Sequence, residues 1–187
     1  MTTEAKFKRT LKEMMLSKSL SEINVTTLCE ACKCHRQTFY YHYQDIYDLL
    51  AAIFLNEEIE GLNRANDPSS ILLCLLKYAK TNFVFLRSAY NSAAGDLVDE
   101  FCYSKVATRL LFVLAKERNT SQPNDVDRTV ARRFSKMVSD EFGYWFKNVS
   151  VTPARFERVM KRYISNVCEI VLPALIKMSG LESNHKQ

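Results

Sequence analysis

The sequence predicts an all-helical chain, and three observations carry that prediction. Only four glycines and four prolines punctuate its 187 residues, too few turn-formers for a fold of many short strands. Apolar residues recur at three- and four-residue spacing through most of the chain, the period of a helix with one buried face. Alternation of apolar and polar residues, the mark of a half-buried strand, is almost absent. With 47% hydrophobic and 25% charged residues, a packed core is within reach and wholesale disorder is not expected.

The elements follow in order. Phe7, Leu11, Met14 and Met15 share one face of a first helix that the pattern ends near Lys18. Leu20 and Ile23 anchor a short connector. Thr26 and Thr27 are cap-formers, and Glu30 follows Thr27 by three residues as in a capping box, so a second short helix is expected from Thr27 to Cys32. After a tight turn a third runs from about Arg36 to Tyr41, and Asp45 caps a fourth carrying Leu49, Leu50, Ile53 and Phe54. Asp67-Pro68 opens an apolar helix expected to run to Leu86, with a break at 91–95. Further helices are expected over Leu97–Lys116, Asp127–Lys147 and Pro153–Met178, with an exposed loop at 118–125. The organisation expected is a first domain at 1–50, a second at 51–180 and a disordered tail at 181–187.

The net charge of +5 is compatible with a polyanionic partner without requiring one. The start lacks an apolar signal segment and no apolar run is long enough to span a membrane, so a cytoplasmic location with reduced thiols and no membrane partner is expected.

Two short helices joined by a tight turn and buttressed on both sides make a helix-turn-helix candidate, whose second helix would enter the major groove of double-stranded DNA. Phe39 and Tyr43, four apart, can hold that helix to its scaffold. Arg36, Gln37 and Thr38 then fall on the outer, N-terminal side; arginine suits guanine, glutamine suits adenine, and a threonine methyl can touch thymine. Tyr40, Tyr41 and His42 can reach phosphates, fixing register without reading sequence, and Thr26, Thr27 and His35 complete the expected contact set.

Residues 5–54 resemble the N-terminal domain of the TetR/AcrR family of bacterial regulators, on Val25 through Cys32, His35 through Tyr43 and Asp45 through Leu50. The run Thr38-Phe39-Tyr40-Tyr41-His42-Tyr43 matches the one that closes the family's recognition helix. The resemblance implies a homodimeric regulator acting on a near-palindromic operator, a repressor under an effector at its C-terminal domain. Two departures bear on affinity: Lys33 stands where the family usually has glycine, and Ile46 where it often has a phosphate-contacting lysine. Both favour weak or cofactor-dependent binding, and a helical protein-interaction module with weakened DNA binding stays open. The stretch Arg36–Asp45, with Gly143-Tyr144-Trp145, also resembles the subgroup regulating dihydroxyacetone kinase operons, some of which answer to a protein partner. That leaves activation open as well.

Cys29, Cys32, Cys34 and His35 have the residue types of a zinc site, but cysteine also serves as a small core residue, and no metal and no cofactor is expected. Neither a nucleophile elbow nor a phosphate-binding loop occurs, and the three histidines include His185 in the tail, so no enzyme is expected.

The resemblance further implies that the body beyond about residue 60 senses and dimerises. Tyr78, Phe83, Phe85, Tyr90, Phe101, Tyr103 and Phe112 are candidates to line a small-molecule effector cavity, though aromatics at helical spacing also serve as plain core. Phe134, Met137 and Trp145, with Phe156, Met160, Tyr163 and Val167, give the last two helices apolar faces wide enough to suggest a dimer interface.

Overall fold

The computed structural model describes residues 2–148 and 150–184, the last four by backbone alone. Ten α-helices follow one another with no strand among the described residues, so the all-helical expectation holds. The helices gather into two compact units, one of residues 2–58 and 82–98, the other of 59–81 and 99–184. Residues 82–98 therefore join the N-terminal helices, beyond the boundary expected at residue 50.

In the first unit, α1 (Thr3–Met14) starts where the Thr2 hydroxyl accepts the Ala5 N–H, and gives way at Met15 to a turn, short of Lys18. A single 3₁₀ turn, Leu20–Glu22, follows. Helix α2 (Val25–Cys32) is capped by Asn24, whose side-chain oxygen accepts the Thr27 N–H at 3.0 Å while Asn24 N–H donates to the Thr27 hydroxyl at 3.2 Å. The box thus begins three residues earlier than expected. Asparagine caps at least as well as threonine, and Thr27 at the third helical position, not Glu30, closes the reciprocal bond. Lys33 ends α2 in the left-handed region, at φ 51° and ψ 48°. Then come α3 (Arg36–His42) and α4 (Ile46–Asn56), the latter capped as expected by Asp45, which accepts the Asp48 N–H at 2.8 Å.

The core of this unit is aromatic. Phe7 meets Phe39 edge-on at 5.4 Å, and Tyr43 closes the cluster 5.7 Å from Phe39. A full turn separates Phe39 from Tyr43, so both fall on the inner side of α3 and pin it against α1. Helix α6 (Phe83–Tyr90) joins through Phe85, 5.6 Å from Phe54 and 5.1 Å from the Lys12 ammonium, which also pairs with Glu57 at 2.7 Å.

The apolar stretch expected to be one helix from Ile71 to Leu86 is broken at Asn82 (φ −103°, ψ 25°). Before the break lies α5 (Pro68–Thr81), opened by Asp67, which accepts the Ser70 N–H at 2.9 Å. Helix α7 (Gly95–Glu117) passes from the first unit into the second.

The second unit holds α5, most of α7, α8 (Asp125–Lys147), α9 (Pro153–Asn166) and α10 (Leu172–Asn184). Asn124 caps α8 with Asp127 as its reciprocal partner, and Arg118 forks onto the nearly buried Asp127 carboxylate. Phe156 packs on Phe142 at 5.7 Å and on Phe146 at 4.8 Å. Between α9 and α10 a π turn spans Val167–Val171, where the Leu172 N–H donates to the Val167 carbonyl five residues back. Pro173 explains it. Proline cannot donate to the Glu169 carbonyl and its ring crowds that oxygen, so the helix widens just ahead of it. Residues 181–184 of the expected tail continue α10, and 185–187 lie outside the described residues.

Candidate nucleic-acid interface

Helices α2 and α3 meet across Lys33, Cys34 and His35, the helix-turn-helix arrangement expected. Its sharp turn depends on the left-handed Lys33, whose N–H donates to the Glu30 carbonyl at 3.0 Å while Cys34 N–H reaches the Cys29 carbonyl at 3.0 Å. These bonds satisfy carbonyls at the end of α2 that would otherwise lack partners.

Helix α3 separates its two sides cleanly. Phe39 and Tyr43 are buried, whereas His35, Arg36, Gln37, Tyr40 and Tyr41 are exposed and Thr38 and His42 half-buried. Tyr41 is 85% exposed, which a large aromatic gains nothing from in water unless something else covers it. Arg36 Nη1 donates to the Thr26 hydroxyl at 3.4 Å, so the exposed threonine of α2 and the first turn of α3 meet on one surface. Thr27, the other threonine expected to contact DNA, has its hydroxyl engaged with Asn24.

At the far end of α3, His42 Nδ1 stands 3.1 Å from Glu4 Oε1 of α1, a contact of which sequence reasoning gave no sign. Burial, with the Glu4 and Asp48 carboxylates adding to it, pushes the Tyr43 phenol up. Ile46 is buried, so its side chain offers nothing where a lysine was expected.

Cys29 and Cys32 lie in α2 and Cys34 in the turn that follows it. Cys29 and Cys32 are buried, and that burial pushes both thiols up, the reverse of what a thiolate ligand needs. Cys34 donates through Sγ to the Cys32 carbonyl at 3.4 Å. Among the described residues no group of three or more histidine, cysteine or carboxylate side chains could hold a metal.

The candidate cavity residues divide between the units. Phe83, Phe85 and Tyr90 are buried in the first; Tyr78 and Phe101 pack together at 5.4 Å in the second. Tyr103 is half-buried, and Phe112 is 52% exposed beneath the Arg109 guanidinium, 4.4 Å away. Within neither unit do all seven meet.

Four residues expected at a dimer interface are instead buried inside the single chain: Phe134, Phe156, Met160 and Val167. Within the single chain α9 packs on α5 and α10 on α8. Met137, Trp145 and Tyr163 stay partly exposed. Met137 borders an open groove of about 540 Å³ along α8 with Arg132, Arg133, Lys136, Asp140 and Glu141. Among the described residues no single helix is long and apolar enough to cross a membrane.

No protein-family model matches the chain. Over 85 residues it is 32% identical to the HTH-type dhaKLM operon transcriptional activator DhaS of Lactococcus lactis subsp. lactis (strain IL1403), covering 44% of this chain. The match spans just under half, 46%, of that relative's length. Among solved structures, the chain is similar to the dihydroxyacetone kinase operon activator DhaS, with a TM-score of 0.65 and 22% identity over 94% of this chain and 97% of the other. That likeness extends through both units and shows that the two chains share a fold.

Proposed function

We propose that the chain is a sequence-specific DNA-binding regulator of transcription that reads its site with α3. The division of α3 into a buried aromatic side and an exposed side bearing Arg36, Gln37, Tyr40 and Tyr41 carries this reading. It agrees with the residue resemblance to the TetR/AcrR family and with the activity named for the 32%-identical relative. Because that relative is an activator, the same comparison favours activation over the repression expected from the sequence. The C-terminal unit would receive the controlling signal, from a small molecule or a protein partner.

The active species in this reading is a homodimer, because two recognition helices about one DNA turn apart are needed to read a near-palindrome. Tyr144 on α8, Ile170 in the π turn and Met178 on α10 supply apolar surface for it, at 65, 67 and 54% exposure. The competing reading is a helical interaction module with weakened DNA affinity. Anisotropy of a labelled 40-base-pair random-sequence duplex, titrated with salt, separates them. A DNA reader loses affinity steeply as phosphate contacts release counterions, with a log–log slope of about −0.9 per phosphate contact. No association even at low salt would overturn the reading.

A further inference from the structure

Cys29 and Cys34 flank the turn that separates α2 from α3. The Cys34 N–H donates to the Cys29 carbonyl at 3.0 Å, and inside that bond the Lys33 N–H donates to the Glu30 carbonyl at 3.0 Å. With Lys33 left-handed at φ 51°, the two nested bonds make a Schellman turn. In that motif the chain doubles back so that the residues joined by the outer bond meet through their side chains, commonly as an apolar pair. Here both are cysteines.

The outer bond also limits how far apart the two residues stand. One N–Cα bond and one carbonyl group separate its ends from the Cα atoms, so these lie at most about 6.9 Å apart even with every atom in line. The trigonal geometry at the nitrogen makes the true separation shorter, within the range of about 4.4–6.8 Å over which disulfides close. Neither thiol is disulfide-bonded; Cys29 is 3% exposed and Cys34 half-buried. Burial pushes the Cys29 thiol up, and the neighbouring Cys32 and Cys34 thiols add to it. The Cys32 thiol lies against Thr10 of α1. Cys34 Sγ donates to the Cys32 carbonyl at 3.4 Å, a weak bond that rotation about Cα–Cβ breaks.

We infer that Cys29 and Cys34 form an oxidisable dithiol site, closed by a peroxide to an intramolecular disulfide that staples the turn while the helix-turn-helix stays folded. The chemistry takes two steps. The more accessible Cys34 sulfur attacks the O–O bond of hydrogen peroxide, takes one oxygen to become a sulfenic acid, and water leaves. The Cys29 sulfur then attacks the Cys34 sulfur; an S–S bond forms, the S–O bond breaks, and a second water carries off the Cys29 proton. Two thiols lose two electrons, and the peroxide is reduced to two waters. The staple has a structural consequence. Lys33 holds a conformation that is unfavourable for any residue with a Cβ, and a bridge across it restricts the ways in which the turn can open. None of this depends on whether α3 reads DNA.

The test treats the full chain, reduced and freed of reductant, with a few equivalents of hydrogen peroxide, then alkylates the remaining thiols under denaturing conditions. Trypsin cleaves after Lys33, between the two cysteines, so the bridge should hold two peptides together until dithiothreitol is added. An alkyl group on Cys32 identifies the pair. Helicity by circular dichroism should be unchanged, and the oxidised chain should melt about 2–8 °C above the reduced one. Cys29→Ser and Cys34→Ser should each lose both the bridge and the gain in melting temperature, whereas Cys32→Ser should keep both. Cys34→Ser, at the more exposed position, decides the matter should the buried Cys29→Ser fail to fold. No joined peptides in the wild type, or joined peptides that persist in Cys29→Ser, overturn the pairing. A melting temperature that fails to rise, or a loss of helicity on oxidation, overturns the stapling of a folded turn.

Discussion

Arg36 Nη1 lies 3.4 Å from the Thr26 hydroxyl, and this contact links the first turn of the candidate recognition helix to the first turn of its supporting helix. Both residues are exposed, so the contact sets the direction of the guanidinium without burying it. Arg36→Ala should therefore weaken binding to a preferred site by about 1–3 kcal/mol, about five- to 150-fold, and relax preference at one base position. Thr26→Ala should cost less, through a looser Arg36. Anisotropy on a series of single-base site variants measures both. An Arg36→Ala protein with unchanged preference would remove Arg36 from the readout.

The inner side of α3 predicts a contrast in stability. Phe39 is fully buried against Phe7, whereas Tyr40 beside it is 59% exposed. Phe39→Ala should lose about 3–5 kcal/mol of stability in the folded N-terminal unit. Tyr40→Ala should stay within about 0.5 kcal/mol while weakening DNA binding. Urea unfolding followed by circular dichroism checks the first pair of values, and equal losses from both would contradict the assigned sides.

Lys33 holds a conformation that suits glycine. Its φ of 51° crowds any Cβ, and the side chain is exposed, so little packing offsets the strain. Lys33→Gly should stabilise the protein by about 0.5–1 kcal/mol, whereas Lys33→Ala, which keeps the Cβ, should not. Thermal unfolding of the two variants side by side decides it. A destabilised glycine variant would mean that the lysine side chain contributes something its exposure does not reveal.

Thiol chemistry should divide the cysteines. Burial pushes Cys168 up to about 11 and raises Cys29 and Cys32 as well, so these stay protonated at pH 8 and react slowly with iodoacetamide. Cys34, more exposed than Cys29 and Cys32, should label at least about tenfold faster in the native protein. Raising the pH toward 11 should speed alkylation of Cys168, since thiolate is formed as the proton leaves. Chelator treatment should leave the melting temperature unchanged. Stoichiometric zinc in purified protein would contradict this account of the turn.

Most helices were legible because their signal is local. Pro68, Asp45 and Pro153 mark starts chemically, and apolar spacing extends each from there. The start of α2 was misplaced because Asn24, Thr26 and Thr27 can all cap, and only the folded chain selects Asn24 with Thr27 as its partner. The break at Asn82 was hidden inside an apolar run whose helical period holds on both sides of it. Of the site, the inner and outer residues of α3 could be read from a four-residue spacing. The Glu4–His42 pair could not, because helix periodicity relates neighbours one turn apart and these residues meet only through the packing of α1 on α3. Width of an apolar face likewise cannot say what covers it. Phe134 and Phe156 are covered by their own subunit.

The central claim is that α3 reads a DNA sequence, and selection from random duplex DNA with the purified full chain at low salt tests it most directly. The account predicts enrichment of a near-palindrome whose half-sites lie about one helical turn apart, lost in both Arg36→Ala and Tyr40→Ala. Enrichment that survives both substitutions, or a selected pool with no common sequence, would contradict it.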